Sequence, residues 1–282
     1  MNPKLSVIIP AYNEEKDIGK CLYSLKNQSY AHFEIIVIDD GSTDKTAEII
    51  NEIGNAKLIR GEHKGTGFSR NLGAKKATGE ILVFVDADMT FDKDFLKYLV
   101  KPIIDEDVIG TIEEKQLITN LDSPWSRCLG KVIVDSKMRG GPVCRAIKRK
   151  KFLEMGGFDP SYGYADDQTF WIKFKVRSVT ALGAVCYHKN PDTLNAVYKQ
   201  ARWSGASLTW NFPVLNIPVL NLILVLLGYI ASPLICPVIT LYRLIKKKDY
   251  RLFFYYWPFV FVKYFGTLGG ILNYVLLNKN VR

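Results

Sequence analysis

Two aspartates, Asp86 and Asp88, follow an apolar run, Ile81 to Val85, in the sequence Gly-Glu-Ile-Leu-Val-Phe-Val-Asp-Ala-Asp. The run has the length of a buried strand, and ligands of open α/β sheets bind outside the carboxyl ends of strands. Because side chains alternate along an extended chain, both carboxylates point the same way. They repel each other unless a cation lies between them, and a hard divalent ion that also takes substrate phosphates fits the pair. An acidic turn that closes a strand is the alternative for an isolated Asp-x-Asp.

The elements that must position these acids alternate between strands and helices. The apolar patterns predict strands at Leu5–Ile9, Phe33–Ile38, Ala56–Arg60 and Ile81–Val85, separated by helices at Ile18–Leu25, Thr43–Ile53 and Gly65–Ala77. A spacing of about 30 residues between strands is typical of parallel βαβ units. We therefore expect an α/β fold, a Rossmann-like open sheet with helices on both faces. The pattern loosens between Ile103 and Lys151, and a further strand ends at His188.

Charge and cysteine content exclude two classes of protein. The net charge is +10, of which residues 1–210 carry +3 and residues 211–282 carry +7. The basic excess thus lies in the apolar C-terminal region, which favours an anionic membrane surface over nucleic acid as the partner. The five cysteines are scattered, with no Cys-x-x-Cys pair, which argues against a disulfide framework or a zinc site. We expect a reducing, cytoplasmic setting for the first 210 residues.

The C-terminal region is predicted to associate with a membrane. Val214–Tyr242 contains 29 residues without a charge, more than the ~20 that span a bilayer. The two predicted hydrophobic helical segments are 214–244 and 252–277, and the second contains Lys263 as its one charged residue. Two buried helices of a larger core are the alternative.

The path of this region through the membrane is left open by the sequence. If both segments span, the three lysines at 246–248 lie across the membrane from the first 210 residues, against the positive-inside tendency. If Pro218, Pro233 and Pro237 break the first segment into a re-entrant or in-plane element, the lysines stay on the near side. Tyr255, Tyr256 and Trp257 are expected to be interfacial anchors.

The order of the short motifs along the chain resembles that of glycosyltransferase family 2, the inverting nucleotide-sugar enzymes of the GT-A fold. The motifs are Val7-Ile-Ile-Pro-Ala-Tyr-Asn-Glu14, Val37-Ile-Asp-Asp-Gly-Ser-Thr-Asp44, Gly65-Thr-Gly-Phe-Ser-Arg-Asn-Leu-Gly73, Asp86-Ala-Asp88, Gly156-Gly-Phe-Asp159 and Asp166-Asp167. Each piece is weak alone, whereas the ordered set is specific. The resemblance covers residues 4 to about 210, which makes 1–210 the predicted catalytic domain and 211–282 the membrane-associating region.

The resemblance implies a set of nucleotide-binding residues. These are Pro10, Ala11, Tyr12, Glu14, Asp39, Asp40, Gly65, Arg70 and Asp86. Asp39 and Asp40 match acids of which one accepts a hydrogen bond from the base, and a helix cap with a turn is their alternative. Arg70 matches a segment that closes over the nucleotide, since a guanidinium suits a diphosphate or a base edge. A solvated helix residue is the alternative for Arg70.

The resemblance also implies a metal and a catalytic base. Asp86, Asp88 and His188 match positions that hold Mg²⁺ or Mn²⁺ against the donor diphosphate, although a lone histidine is often a satisfied core or surface residue. By position Asp167, with Asp166 before it, is the base that deprotonates an attacking hydroxyl. We expect Phe170 and Trp171 to desolvate Asp167 and raise its pKa.

An acceptor site is implied by the segment Lys199-Gln-Ala-Arg-Trp203, which resembles a Gln-x-x-Arg-Trp motif with lysine in place of glutamine. Arg202 would contact a diphosphate and Trp203 would stack on the acceptor sugar. The lysine puts a processive synthase in doubt, and an amphipathic helix leading to the membrane is the alternative. Basic residues between Arg127 and Lys151 would hold acceptor phosphates or form a solvated face.

The predicted function is transfer of a hexose from a UDP- or GDP-sugar, with inversion, to a lipid-linked acceptor at the cytoplasmic face of a membrane. The acceptor is a polyprenyl or dolichyl phosphate or a lipid-linked glycan. The alternatives are a subunit of a polysaccharide synthase and an inactive, membrane-anchored nucleotide-binding scaffold. The presence of Asp86, Asp88 and Asp167 argues against the scaffold.

Overall fold

The computed structural model describes residues 2–130, 132–135, 140–207 and 218–277. Within these ranges the strands are β1 Leu5–Ala11, β2 Phe33–Asp39, β3 Lys57–Arg60, β4 Ile81–Phe84, β5 Thr90–Phe91, β6 Gly110–Ile118, β7 Val132–Asp135, β8 Ala146–Lys148 and β9 Val179–His188. The α-helices are α1 Ile18–Lys26, α2 Thr46–Ile53, α3 Thr66–Lys76, α4 Phe95–Asp105, α5 Pro124–Leu129, α6 Arg149–Glu154, α7 Thr169–Phe174, α8 Leu194–Ser207, α9 Pro218–Lys247 and α10 Phe253–Leu277. Pro160–Gln168 and Tyr250–Leu252 are 3₁₀ helices.

The described residues divide into two compact units. The first consists of Met1–Ile118, Val132–Pro160 and Asp166–His188, and the second of Thr119–Lys131, Ser161–Ala165 and Lys189–Arg282. All nine described strands belong to the first unit, and α5, α8, α9 and α10 belong to the second. This division rests on contacts alone. That residues 1–210 form a catalytic domain and residues 211–282 a membrane-associating region stays a prediction.

The sheet of the first unit has the strand order β3-β2-β1-β4-β8-β6-β9-β5, with β7 paired to β6. Strands β1 to β4 are parallel, as predicted, whereas β8 runs antiparallel to β4 and β6. The chain moves outward from β1 to β3 and then returns through α3 to place β4 on the other side of β1. The carboxyl ends of β1 and β4 therefore flank a topological switch point, where open α/β sheets bind ligands.

Helices cover both faces of this sheet because the strands alternate apolar side chains between two cores. Leu5, Val7 and Ile9 of β1 pack with residues of α1 and α4 in one core. Ile8 packs in the other core, where Phe152 of α6 and Phe170 of α7 lie. The predicted open sheet with helices on both faces is confirmed.

The region from Ile103 to Lys151, in which the sequence pattern loosens, supplies three strands of the sheet. The strand β6 is missed by periodicity because Glu113, Glu114 and Lys115 interrupt its apolar residues. Among the basic residues predicted there, Lys131, Lys137 and Arg139 lie outside the described residues.

Both predicted hydrophobic segments of the second unit are helices. Helix α9 continues through Pro233 and Pro237, so these prolines do not break it into separate elements, and the predicted start at residue 214 lies outside the described residues. Within the described part of the chain, Leu222–Lys246 is the one stretch long and apolar enough to cross a membrane by length and composition, and little of it is buried. This is weak evidence of membrane association.

Glycines allow α8 and α10 to cross closely in the second unit. A Cβ at Gly270 would overlap the carbonyl oxygen of Arg202, and a Cβ at Gly205 would overlap that of Thr267. The two backbones therefore touch at small residues, as helices do where they approach most closely.

This crossing predicts that alanine substitution at two adjacent glycines of α10 affects stability differently. Gly270→Ala is expected to lower stability by roughly 1–3 kcal/mol because the added methyl group must push α8 away. Gly269→Ala is the matched control, since its Cβ would lie an ordinary 3.6 Å from the Tyr198 hydroxyl oxygen. Thermal unfolding of both variants in detergent measures the difference, and equal midpoints would contradict the close crossing.

Candidate active site

Arg70 connects two of the predicted acidic residues at the carboxyl edge of the sheet. Its Nη2 lies 2.7 Å from Asp86 Oδ1, and its Nη1 lies 2.7 Å from Asp166 Oδ1. Arg70 projects from α3 and is only 8% exposed, so the alternative of a solvated helix residue is wrong. Gly67, one turn earlier on α3, makes room for this contact, since a Cβ there would lie 2.8 Å from Asp166 Oδ2.

A second arginine, Arg145, approaches Asp86 from another direction. Its guanidinium donates to both oxygens of Glu113 at 3.0 Å and to the carbonyl oxygen of Phe84, and its Nη1 is 3.9 Å from Asp86 Oδ2. Burial raises the pKa of Asp86, but the charges of Arg70 and Arg145 outweigh burial and lower that pKa to about 2. Asp86 is therefore an anion at every physiological pH.

Asp167 has the opposite electrostatic environment from Asp86. Burial raises its pKa, and Asp166 and Asp86 raise it further, while Arg70 and Arg145 lower it, with a net value of about 7. Its Oδ1 atom is buried without a hydrogen-bond partner among the described residues. The expected raised pKa is thus found, and burial is its main cause. A carboxyl group that gains and loses a proton near neutral pH is suited to proton transfer.

Asp88 lies against the predicted histidine rather than against Asp86. His188 ends β9, and its Nε2 is 3.2 Å from Asp88 Oδ1. Burial lowers the pKa of His188, but the hydrogen bond to Asp88 and the nearby carboxylates outweigh burial and raise it. The structure therefore brings Asp88 and His188 together, while Asp86 turns toward the two arginines.

Glu14 is a buried carboxyl group with several other carboxylates nearby. Burial raises its pKa, and repulsion from Asp88, Asp17, Asp86 and Asp44 adds to burial, which together give a value of about 8. Carboxylates that share a space hold protons in this way when no cation is between them.

The predicted metal site can be compared with the side chains that the structure brings together. No group of three or more His, Cys, Asp and Glu side chains in the described ranges could hold a metal ion by itself. Asp88 and His188 offer one carboxylate and one imidazole. Repulsion from nearby carboxylates adds to the burial that raises the pKa of Glu14, and a cation would offset that repulsion. Mg²⁺ in particular takes one or two protein carboxylates and completes its shell with waters and substrate phosphates. The residues thus fit a divalent ion that arrives with a diphosphate.

Asp39 and Asp40, which end β2, use their carboxylates within the fold. Asp39 is fully buried, accepts from the Ser42 backbone N–H at 2.9 Å and lies 3.2 Å from Arg60 Nε. Asp40 accepts from the backbone N–H groups of Lys64 and Gly65 and from the Ser69 hydroxyl. The two acids therefore fix the loops after β2 and β3 and the start of α3.

An aromatic pair lies beside these loops. The rings of Tyr12 and His63 stack with centroids 4.0 Å apart and an interplanar angle of 24°, and His63 Nδ1 is 2.9 Å from Asp40 Oδ2. Pro10 and Ala11 are buried as the last residues of β1, which therefore extends two residues beyond the predicted strand Leu5–Ile9. The structure gathers Pro10, Ala11, Tyr12, Asp39, Asp40 and Gly65 around the ends of β1 and β2.

The predicted acceptor residues belong to the second unit. Trp203 of α8 contacts Tyr164 edge to face, with ring centroids 4.8 Å apart. Arg202 donates to the side-chain oxygen of Asn273 when that amide is turned to accept. Lys199 is exposed on α8, as the amphipathic-helix alternative predicts.

Sequence reasoning missed three residues that take part in these arrangements: Glu113, His63 and Tyr164. Their partners are 23 to 51 positions away along the chain. Arg145 was predicted within the basic group that would hold acceptor phosphates or form a solvated face, whereas its side chain is mostly buried and paired with Glu113. An acidic residue inside a strand pattern, such as Glu113, is the one signal that predicts a buried partner.

Comparison with known proteins confirms the resemblance on which the site was predicted. Residues 6–153 match the sequence model of the family described as glycosyl transferase family 2. The chain is 28% identical over 208 residues to EpsH of Bacillus subtilis (strain 168), named as a candidate glycosyltransferase, covering 66% of this chain and 60% of EpsH.

Two solved structures share the fold. TarS 1-349 from S. aureus in complex with UDP is 26% identical with a TM-score of 0.53, covering 73% of this chain and 65% of TarS 1-349. The mannosyltransferase PcManGT from Pyrobaculum calidifontis, in complex with GDP-Man and Mn2+, is 22% identical with a TM-score of 0.59, covering 95% of this chain and 88% of PcManGT. The chain spans less than two thirds of EpsH and of TarS 1-349. The family match covers more than half of the chain, which belongs to glycosyltransferase family 2.

Proposed function

We propose that this chain transfers a hexose from a nucleoside diphosphate sugar, UDP- or GDP-linked, to a lipid-linked acceptor at a membrane, with inversion at the anomeric carbon. The observation that carries the proposal is the arrangement around buried Arg70, which pairs with Asp86 and with Asp166, the neighbour of Asp167, whose own Oδ1 is buried. The pKa is lowered at Asp86, to about 2, and raised at Asp167, to about 7. One carboxylate that is always charged and one that exchanges a proton near neutral pH match the needs of a displacement with base assistance.

The donor would lie across the carboxyl ends of β1 and β4. Tyr12 and His63 offer a stacked aromatic surface to a base, and Asp39 and Asp40 would hold the loops around it. Asp88 and His188, with Asp86 beside them, would hold Mg²⁺ or Mn²⁺. When bound, such an ion offsets the charge that grows on the departing nucleoside diphosphate. Of the two solved structures of similar fold, PcManGT is described with GDP-Man and Mn2+, and TarS 1-349 with UDP.

Proton transfer in the proposed reaction is assigned to Asp167. The acceptor hydroxyl oxygen forms a bond to the anomeric carbon, the bond from that carbon to the diphosphate oxygen breaks, and the hydroxyl proton passes to Asp167. Arg70 would keep Asp166 and Asp86 in place, since both of its Nη atoms are engaged. An acceptor that is already an anionic lipid phosphate has no proton to give and needs no base.

The lipid-linked acceptor is proposed from the second unit. Trp203 and Tyr164 form an aromatic pair that suits a sugar face, and α9 contains a stretch long and apolar enough to enter a membrane. A cytoplasmic location of the first unit is proposed because its cysteines, Cys21, Cys144 and Cys186, are buried thiols, as is typical of a reducing compartment. A subunit of a polysaccharide synthase is the second candidate, for which Arg202 and Trp203 are the supporting residues.

Donor binding is tested first. In a panel of UDP-, GDP- and dTDP-sugars, with and without Mn²⁺, we expect one nucleotide class to raise the thermal midpoint. At a donor concentration 100-fold above Kd, the free energy of unfolding should rise by about 2.7 kcal/mol. Asp88→Ala should abolish the Mn²⁺-dependent part, whereas Glu52→Ala, an exposed carboxylate on α2, should not. No stabilisation of the folded protein by any donor would leave the inactive scaffold as the better hypothesis.

The base is tested by pH dependence. Asp167 is neutral below its pKa and charged above it, so kcat/KM with a hydroxyl acceptor should rise through about pH 7 and level off above. Asp167→Asn should lower kcat/KM by about 10²–10⁴ and remove this rise. Glu154→Gln serves as the control carboxylate, because Glu154 pairs with Lys151 at the exposed end of α6. Full activity of Asp167→Asn with a hydroxyl acceptor would assign the base to another group.

The role of Arg145 is tested by a pair of variants. Arg145→Met leaves Glu113, which is 0% exposed, without its main partner, and is expected to cost about 3–5 kcal/mol of stability. Arg145→Met with Glu113→Leu should recover most of that stability, because no buried charge is left unpaired. If Arg145 also sets the charge at Asp86, the double variant should still bind the donor more weakly than the native chain. Native donor affinity in the double variant would make the pair purely structural.

A further inference from the structure

The loop between α9 and α10, together with the helix ends on either side of it, combines exposed aromatic and basic side chains. We call this surface the hairpin tip, and its residues are Lys246, Lys248, Tyr250, Arg251, Phe253 and Phe254. Phe254 is 81% exposed and Tyr250 is 67% exposed, which is unusual for large apolar side chains. Asp249 is the one acidic residue within the tip segment 246–254. Of the anchors that the sequence predicts, Tyr256 is fully buried and so is not available to a membrane surface.

An aliphatic surface on α9 leads directly to the hairpin tip. Leu227, Ile230, Leu234, Val238 and Leu241 are all more than half exposed, and they recur every three or four residues on one side of the helix. The 25 residues of Leu222–Lys246 measure about 37 Å at 1.5 Å per residue. An aliphatic stripe that ends in aromatic and basic residues is the pattern found where hydrocarbon gives way to lipid head groups.

Helix α5 packs against the base of the hairpin tip. Cys128 of α5 lies in one buried cluster with Leu244, Leu252 and Tyr256, and Arg243 Nη1 is 3.4 Å from the Cys128 carbonyl oxygen. Trp125 contacts Tyr255 edge to face, with ring centroids 5.2 Å apart. The tip and α5 are thus parts of one packed arrangement at the same end of the second unit.

We propose that the hairpin tip docks into the head groups of an anionic leaflet, on the same membrane face as α5. The aliphatic stripe of α9 then enters the hydrocarbon from that face. This inference rests on the membrane location given under the proposed function, and it adds the side and the lipid charge. Under this proposal the lysines at 246 and 248 lie on the same side of the bilayer as α5. It thus chooses between the two membrane paths that the sequence leaves open.

Charge favours an anionic leaflet over a second copy of the chain as the occupant of the tip. A symmetric dimer places identical patches against each other, which would bring Lys246, Lys248 and Arg251 of two copies together. Anionic lipid offers the opposite charge, and each basic residue near such a surface strengthens binding about fivefold.

Whether the hairpin tip and α5 lie on the same side of the membrane is tested by counting the labels that each protein molecule carries. The double variant Asp122→Cys and Lys248→Cys places one thiol just before α5 and one in the tip, both at exposed positions, whereas the five native cysteines are buried. A membrane-impermeant thiol reagent is added to sealed proteoliposomes of phosphatidylcholine and phosphatidylglycerol. Mass spectrometry should then find two labels or none on each molecule, whichever way it inserted. One label on each molecule would overturn the proposal.

The lipid charge is tested by vesicle flotation. The triple variant Lys246→Gln, Lys248→Gln and Arg251→Gln should lose on the order of 100-fold in binding to phosphatidylglycerol-containing vesicles. The control, Lys75→Gln, Lys76→Gln and Lys97→Gln, removes the same charge from exposed positions on α3 and α4 and should bind normally. Equal binding by both triple variants would overturn the proposal.

Two further readouts separate this proposal from its rivals. Disulfide cross-linking of Lys248→Cys between copies at the same rate in detergent and in vesicles would assign the tip to a dimer and overturn lipid docking. Donor-induced thermal stabilisation, measured on every variant, reports the nucleotide site separately. Failure to bind vesicles with donor stabilisation retained would overturn the docking surface alone, whereas loss of donor stabilisation in the native chain would overturn the proposed function.

Discussion

The shared salt bridge of Arg70 with Asp86 and Asp166 is the interaction on which the candidate active site depends. Its members come from α3, from the turn after β4 and from the 3₁₀ helix Pro160–Gln168, so one buried guanidinium fixes three separate parts of the chain. Buried charges are tolerated only when they are paired and hydrogen-bonded, and Arg145 with Glu113 extends the same network behind Asp86. The geometry of the acids is therefore a requirement of folding as much as of chemistry.

This network also explains why neighbouring carboxyl groups differ in proton affinity. Asp86 faces two guanidinium groups and stays ionised, whereas the burial of Asp167 and the two acids near it raise its pKa. Glu14 and His188 show the same excess of negative charge around Asp88, each with a raised pKa. The site as folded thus has a place where positive charge is favourable, which is the property that a diphosphate and its metal ion would use together.

The second unit follows different physical rules. Small residues let α8 and α10 approach until their backbones touch, and the exposed side of α9 carries aliphatic side chains that water does not favour. Because the aromatic and basic residues collect at the α9–α10 loop, where α5 packs, the surface of this unit has one end suited to head groups. In the proposals made above, docking to a membrane and proton transfer fall to separate sets of residues.

The sequence by itself determined strands β1 to β4, the helices between them and the family, because these depend on local periodicity and on motifs that are contiguous in the chain. It also predicted that Asp86, Asp88, Asp167 and His188 belong to one site. Only the tertiary structure decided that Asp88 pairs with His188 and Asp86 with arginines. It also decided that β6 is a strand despite its charges, because Glu113 pairs with Arg145, 32 residues away along the chain. Pairing between distant charges depends on which strands become neighbours, and that choice is made by the packing of the whole sheet.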